Sequence, residues 1–128
     1  MHSLARAVRV DSSRVAPEIL IALKALSEEL PVSFDGGDGV ELAFDRTSDE
    51  DGCRVMCSDV AAQIDYSTTA SAMRGVGTVM SGIAEEGTLE ERCAFSTFGI
   101  MLDCSRNAVM NVGHFKAWLR RCALMGYS

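Results

Sequence analysis

The chain has 128 residues and a mass of 13.8 kDa, and 48% of its residues are hydrophobic and 23% charged, which suffices for one buried core but not for two. Its 18 acidic and 12 basic residues give a formal charge of −6, with only two lysines among the bases, and this balance argues against binding to nucleic acid. No apolar run reaches the ~18 residues needed to cross a bilayer, and no signal-peptide core follows the first residues. We therefore expect a cytoplasmic protein that binds neither nucleic acid nor membranes.

The first part of the chain predicts a strand, a helix and a second strand. Residues 5–10 alternate apolar side chains with arginine, which is typical of a half-buried strand. A proline opens and another ends an amphipathic helix over residues 17–30, in which leucines recur at three- and four-residue steps. A glycine-rich turn at residues 35–39 then leads into a strand over residues 40–45.

The next segments predict an antiparallel hairpin and a second helix. Residues 53–57 and 60–66 each place apolar side chains on one face, and Ser58-Asp59 forms the tight connection between them. Thr68 or Thr69 caps a helix over residues 68–84 that ends at Gly87. Three glycines in this helix are tolerated if it packs closely on the sheet: Gly75, Gly77 and Gly82.

Together these segments predict an α+β fold for residues 1–95. The order is βαβββα, in an antiparallel-rich sheet whose two helices cover one face. The sheet residues expected to point into the shared core are Val40, Leu42, Phe44, Val55, Val60, Ala62 and Ile64.

The last third of the chain differs in kind. Residues 88–92 are polar and mark a domain boundary, whereas residues 98–102 form a continuous apolar run that is typical of a buried parallel strand. Asn111 caps a helix with an apolar face: Phe115, Trp118, Leu119, Cys122 and Met125. A parallel strand needs neighbours on both sides, so we expect residues 96–128 to be the first β/α unit of a larger domain.

Several kinds of chemistry lack their sequence signals. The five cysteines are an odd number with no secretion signal, which favours free thiols over disulfides. Their spacing and the two distant histidines give no zinc motif, and the acidic segment has the wrong register for a calcium loop. The phosphate-loop, serine-hydrolase and zinc-protease motifs are not found, so we expect no cofactor and no metal. Asp49 and Glu50 read as two exposed acids in a hydrophilic turn.

One polar cluster stands where α/β folds place ligand-contacting groups. Residues 103–107 follow the apolar run at its carboxyl end, and they include Asp103 and Arg106. Arg106 offers a fork of donors that suits a diol or a carboxylate, and Asp103 could orient it. An Asp-Arg pair that merely ties the strand to the loop explains the same spacing equally well.

The run from Phe98 to Val109 contains Met-Leu-Asp-Cys-Ser-Arg-Asn, and Ala-Leu-Met-Gly-Tyr follows at residues 123–127. These segments resemble the first barrel strand and helix of family 20 glycoside hydrolases, the β-N-acetylhexosaminidases. The similarity is strongest to bacterial exo-β-N-acetylglucosaminidases without a secretion signal. Residues 66–75 and the order βαβββα look like the small α+β domain that precedes the barrel in this family.

This resemblance implies an organisation and a reaction. Residues 1–95 would be the small domain, and residues 96–128 would be the first strand and helix of a truncated (β/α)8 catalytic domain. The arginine that closes the first barrel strand holds hydroxyls of the terminal sugar in such enzymes, and Arg106 matches that position. The substrate's own acetamido oxygen attacks the anomeric carbon, while a glutamate protonates the leaving oxygen and an aspartate orients the acetamide.

The catalytic Asp-Glu pair of that family lies on a later barrel strand, so Asp49-Glu50 is not its counterpart. We therefore expect this chain to be an inactive amino-terminal portion of a β-N-acetylhexosaminidase whose substrate is a terminal N-acetylhexosamine of a glycan. The competing interpretation is a self-contained α+β interaction module. In either case the unpartnered strand and helix at residues 96–128 predict self-association into a homo-oligomer.

Overall fold

The computed structural model describes residues 5–47, 51–84, 86–106 and 109–128. In these residues three α-helices and six strands follow one another along the chain, and a short 3-10 helix at Ser12–Arg14 precedes the first α-helix. Their bounds are β1 Val8–Val10, α1 Pro17–Leu26, β2 Val32–Phe34, β3 Val40–Arg46, β4 Gly52–Cys57, β5 Ala61–Tyr66, α2 Thr69–Ser81, β6 Gly87–Arg92 and α3 Val112–Leu124.

The described strands form one mixed sheet in the order β2-β1-β3-β5-β4-β6. Strand β1 is parallel to both β2 and β3, and β3 is parallel to β5. Only β4 runs against its neighbours, which are β5 and β6. The prediction of an antiparallel-rich sheet is therefore wrong. Helix α1 returns the chain to the same end of the sheet between β1 and β2, and such a crossover produces a parallel pair.

Two of the observed strands were not predicted. Strand β2 has only three residues, all of them partly exposed, too few to display an alternating pattern. Strand β6 occupies the polar stretch that was interpreted as a boundary. It is the edge of the sheet, where only Leu89 and Glu91 are partly covered, and the exposed edge accounts for its charged sequence.

Helices α1 and α2 lie on the same face of the sheet. They contact each other, and their buried residues belong to one core with the inward-facing strand residues. The opposite face is open to solvent and carries exposed ion pairs such as Arg9–Glu41, at 3.1 Å. The residues with the least exposure in this core are Val8, Ile19, Leu23, Val55, Ile64, Ala72, Val76 and Val79.

Most of the predicted inward-facing residues are in this core, but Val60 is not. Phe44 is partly buried against the core, whereas Val60 is 70% exposed. Strand β5 begins only at Ala61, whose backbone N–H donates to Ser58 Oγ at 3.1 Å. Val60 therefore belongs to the turn between β4 and β5, and its side chain faces solvent.

The glycines of α2 have three different roles. Gly75 faces the sheet, because a Cβ atom placed there would lie 2.7 Å from Ile64 Cγ2. Gly77 faces α3 instead, at Leu124. Gly82 adopts a left-handed conformation with φ 75° and ends the helix, so the predicted end at Gly87 is wrong. Gly87 is the first residue of β6.

The predicted strand over residues 98–102 does not form in the described chain. Phe98 and Ile100 are almost half exposed, and Met101 is 95% exposed. A parallel strand is stable only between neighbours, and none of the described strands pairs with these residues. The helix that follows is present: the side chain of Asn111 caps α3 by accepting from the His114 backbone N–H at 2.8 Å. None of the described helices is both long and apolar enough to cross a membrane.

Candidate functional site

Arg106 lies in an exposed turn rather than at the end of a strand. Its backbone is left-handed, with φ 57°, a conformation that turns the chain sharply. Asp103 Oδ1 accepts a hydrogen bond from the Ser105 backbone N–H at 2.8 Å. The side chain and the backbone of Ser105 thereby lower the pKa of Asp103 below its ordinary value.

These contacts bear on the two interpretations of the Asp103–Arg106 spacing. Within the described residues Asp103 forms no ion pair with Arg106, and its carboxylate instead stabilises the turn through Ser105. The guanidinium of Arg106 is exposed on a turn and keeps its planar set of N–H donors for an external acceptor. Asn107 lies outside the described residues, as do Asp49 and Glu50.

The segment that carries Arg106 is attached to the last residues of the chain. The Phe98 backbone N–H donates to Ser128 Oγ at 3.1 Å, and the Ser128 backbone N–H donates to the Phe98 carbonyl at 3.0 Å. The rings of Phe98 and Tyr127 stack, with 4.3 Å between their centroids. These contacts connect residues almost thirty positions apart, and nothing in the local sequence pattern indicates them.

A cavity of about 320 Å³ opens beside this contact. It lies between the start of α2, the adjoining ends of β4 and β6, and residues 93–98 and 125–128. Arg74 and Glu91 form a two-pronged ion pair in its wall, with Nε–Oε2 at 2.6 Å and Nη2–Oε1 at 2.8 Å. The two charges neutralise each other, so the pair itself attracts neither an anion nor a cation strongly.

The thiol of Cys53 also lines this cavity, and burial raises its pKa to about 11. A thiol with such a pKa remains protonated at neutral pH and is a poor nucleophile and metal ligand. The described residues contain no cluster of three or more histidine, cysteine or acidic side chains able to hold a metal ion. The cavity therefore lies at the junction between the α+β part of the chain and its terminal segment. The charged groups in its wall, Arg74 and Glu91, bond to each other.

Sequence reasoning missed three charged residues with tertiary partners: Arg74 and Glu91 at this cavity, and Arg120 on α3. Glu91 lies in the stretch interpreted as a boundary, and Arg74 lies in a helix that was considered only for its apolar face. Arg120 lies outside the apolar face predicted for the last helix, yet only 13% of its side chain is exposed. Each of them is explained by a partner far away in the sequence, which periodicity does not reveal.

Comparisons with known proteins find similar proteins among solved structures. No family model matches the chain, and no curated protein matches it significantly. Among solved structures, the GH20 β-N-acetylhexosaminidase from Streptomyces coelicolor A3(2) superposes with a TM-score of 0.58 at 24% identity, over 98% of this chain and 30% of that enzyme. A mutant β-hexosaminidase from Streptomyces plicatus, in complex with its product GlcNAc, gives a TM-score of 0.59 at 23% identity, over 99% of this chain and 29% of the enzyme.

The chain shares its fold with part of the GH20 β-hexosaminidases. The resemblance suggested by the run around Arg106 is thus supported by structures that match along almost all of the chain. The chain spans about 30% of the length of these enzymes.

Proposed function

We propose that this chain is a part of a family 20 β-N-acetylhexosaminidase, an enzyme that removes terminal N-acetyl-β-hexosamine residues from glycans in the cytoplasm. The observation that carries the proposal is the fold shared over 98–99% of the chain with two GH20 enzymes. The Met-Leu-Asp-Cys-Ser-Arg-Asn run, which resembles the first barrel strand of that family, supports it independently.

In this proposal the chain has two parts. Residues 1–95 are the small α+β domain, and residues 96–128 supply the first strand and helix of the (β/α)8 barrel. Residues 98–102 become a strand when the neighbouring barrel strands pair with them. Their exposed apolar side chains, Phe98, Ile100 and Met101, are then covered on both faces.

Arg106 is the residue proposed to bind the substrate. Its exposed guanidinium is free of Asp103 and donates to hydroxyl oxygens of the terminal sugar. The acid that protonates the leaving oxygen and the carboxylate that orients the acetamide have no counterpart in this sequence. We therefore propose that the chain alone carries a sugar-binding residue, Arg106, but lacks the acid that protonates the leaving oxygen.

The test uses 4-nitrophenyl N-acetyl-β-glucosaminide as substrate. The 128-residue chain should release no 4-nitrophenol, whereas a protein translated from the same reading frame continued past Ser128 should release it. In that longer protein Arg106→Ala should lower kcat/KM roughly 10- to 100-fold, because a hydrogen bond to a charged donor is lost.

Arg121→Ala is the matched control, since Arg121 is an exposed arginine on the same terminal unit, and it should leave kcat/KM unchanged. A longer protein that is inactive on this substrate would overturn the proposal, and so would turnover by the 128-residue chain. Equal effects of the two arginine substitutions would overturn the role of Arg106.

A further inference from the structure

Helix α3 packs so closely against α2, in the α+β part of the chain, that the backbones of the two helices approach each other. A Cβ atom placed at Gly77 of α2 would overlap the carbonyl oxygen of Leu124 and lie 3.2 Å from the Leu124 Cβ. Glycine is therefore required at this position for the two helices to meet as they do. Cys122 is buried, and Ala123 and Leu124 pack against the core.

A single arginine joins the same helix to α1. Arg120 Nε donates to the Ala25 carbonyl at 2.7 Å, and its Nη1 donates to Glu29 Oε1 at 2.9 Å. Its Nη2 pairs with Glu28 Oε2. Three acceptors at or just beyond the carboxyl end of α1 thus surround one guanidinium, and only 13% of the Arg120 side chain is exposed. A cation is favoured there because the last carbonyl groups of a helix carry partial negative charge.

The contacts continue from α3 to the segment that carries Arg106. The helix ends at Leu124, and Tyr127 and Ser128 follow it after Met125 and Gly126. The ring of Tyr127 stacks on that of Phe98, and Ser128 forms two hydrogen bonds with the Phe98 backbone. The position of α3 on the α+β part therefore sets where residues 98–106 begin.

We propose that the α+β part of the chain is the platform that positions the sugar-binding segment, and that Arg120 is the positioning residue that fixes α3 on it. The assignment of a sugar to Arg106 rests on the function proposed above, whereas the docking of α3 concerns this chain alone. Arg120 does not touch the sugar in this proposal. It acts through α3, the stack of Phe98 on Tyr127, and finally the turn that holds Arg106.

The docking can be tested in the 128-residue chain by amide hydrogen exchange. A helix of thirteen residues is marginal in water without tertiary contacts. Arg120→Ala should therefore speed exchange in Val112–Leu124 by about tenfold or more, while exchange in Thr69–Ser81 stays unchanged. Arg120→Lys keeps the charge without the fork of donors and should be intermediate.

Matched controls separate the contact from general effects of substitution. Arg121→Ala removes an exposed arginine from the same helix and should leave exchange in α3 unchanged. Gly77→Ala should loosen α3, whereas Gly113→Ala should not, because a Cβ atom at Gly113 meets only Asn111 Oδ1, at 3.5 Å. Equal exchange in α3 for Arg120→Ala and the unsubstituted chain would overturn the proposal, as would acceleration of all elements together.

The longer protein provides a second readout. There Arg120→Ala should raise KM roughly tenfold with little change in kcat, because the sugar-binding arginine is misplaced while the reacting groups are intact. The effect should vanish when Arg106 is already alanine, since Arg120 acts through it. Additive losses in the double variant would overturn the positioning role. If the longer protein is inactive on N-acetyl-β-glucosaminides, the proposed function fails, and the exchange experiment still decides whether Arg120 docks α3.

Discussion

Strand β6 carries two neighbouring glutamates, Glu90 and Glu91. Each pairs with an arginine of another element, and the two pairs differ in their exposure to solvent. Glu91 points toward α2 and accepts two hydrogen bonds from Arg74, and about 30% of each side chain is exposed. Glu90 points to the open face and lies 3.3 Å from Arg54, with both side chains more than half exposed. The geometry of the first pair restricts both partners, whereas solvent screens the second.

At the residue scale we predict unequal effects of removing these two carboxylates. Glu91→Gln should lower the free energy of unfolding by about 1–2 kcal/mol, because Arg74 loses a bidentate charged partner in a partly buried site. Glu90→Gln, the matched control one residue away, should cost at most about 0.5 kcal/mol. Urea denaturation of both variants measures the difference, and equal midpoints would show that the Arg74–Glu91 pair contributes no more than an ordinary surface pair.

At the scale of helices and strands, short sequence patterns predict the helix N-caps and the β4–β5 hairpin, whereas the end of α2 is evident only from the structure. Asn111 and Thr68 cap their helices through the hydrogen bonds that their residue types suggest. The hairpin of β4 and β5 also follows from alternation around a short polar turn. The end of α2 was harder to place because four glycines lie within residues 75–87, and only backbone conformation distinguishes Gly82, at φ 75°, as the terminating residue.

This position of Gly82 leads to a prediction. Gly82→Ala should destabilise the chain by about 1 kcal/mol, because a Cβ atom is strained in the left-handed conformation although no atom lies within 4 Å of it. Gly99→Ala is the control, since Gly99 has equal space and is not among the glycines with positive φ. Thermal denaturation should shift for the first variant only, and a stable Gly82→Ala protein would mean that α2 can end elsewhere.

At the scale of the whole molecule, the apolar surface is unevenly distributed. Most of the exposed large apolar side chains among the described residues lie between residues 95 and 125, including Phe95 at 70% and Met101 at 95% exposure. Helices α1 and α2 cover one face of the sheet, whereas the described chain leaves this terminal surface of exposed apolar side chains, between residues 95 and 125, uncovered. Surfaces of this kind commonly mark places where proteins associate.

We predict that this terminal surface causes the chain to self-associate. Leu119→Glu and Met125→Glu, at positions 46% and 51% exposed on α3 and directly after it, should each shift sedimentation toward the monomer. Ile21→Glu is the matched control, because Ile21 is 70% exposed on α1, outside this surface. Association that responds to Ile21→Glu as strongly as to the terminal substitutions would place the interface elsewhere.

The sequence by itself determined where the three helices lie, the N-caps Thr68 and Asn111, the β4–β5 hairpin and the resemblance around Arg106, because each depends on residues close together in the chain. Only the tertiary structure decided the parallel pairing of β1 with β2 and β3, the edge strand β6 and the exposed state of residues 98–102. A strand's direction and its burial depend on which neighbours are present, and these are distant in sequence. The contacts of Arg120 and Gly77 have the same origin, since a guanidinium or a missing Cβ acquires its role only from the helix that packs against it.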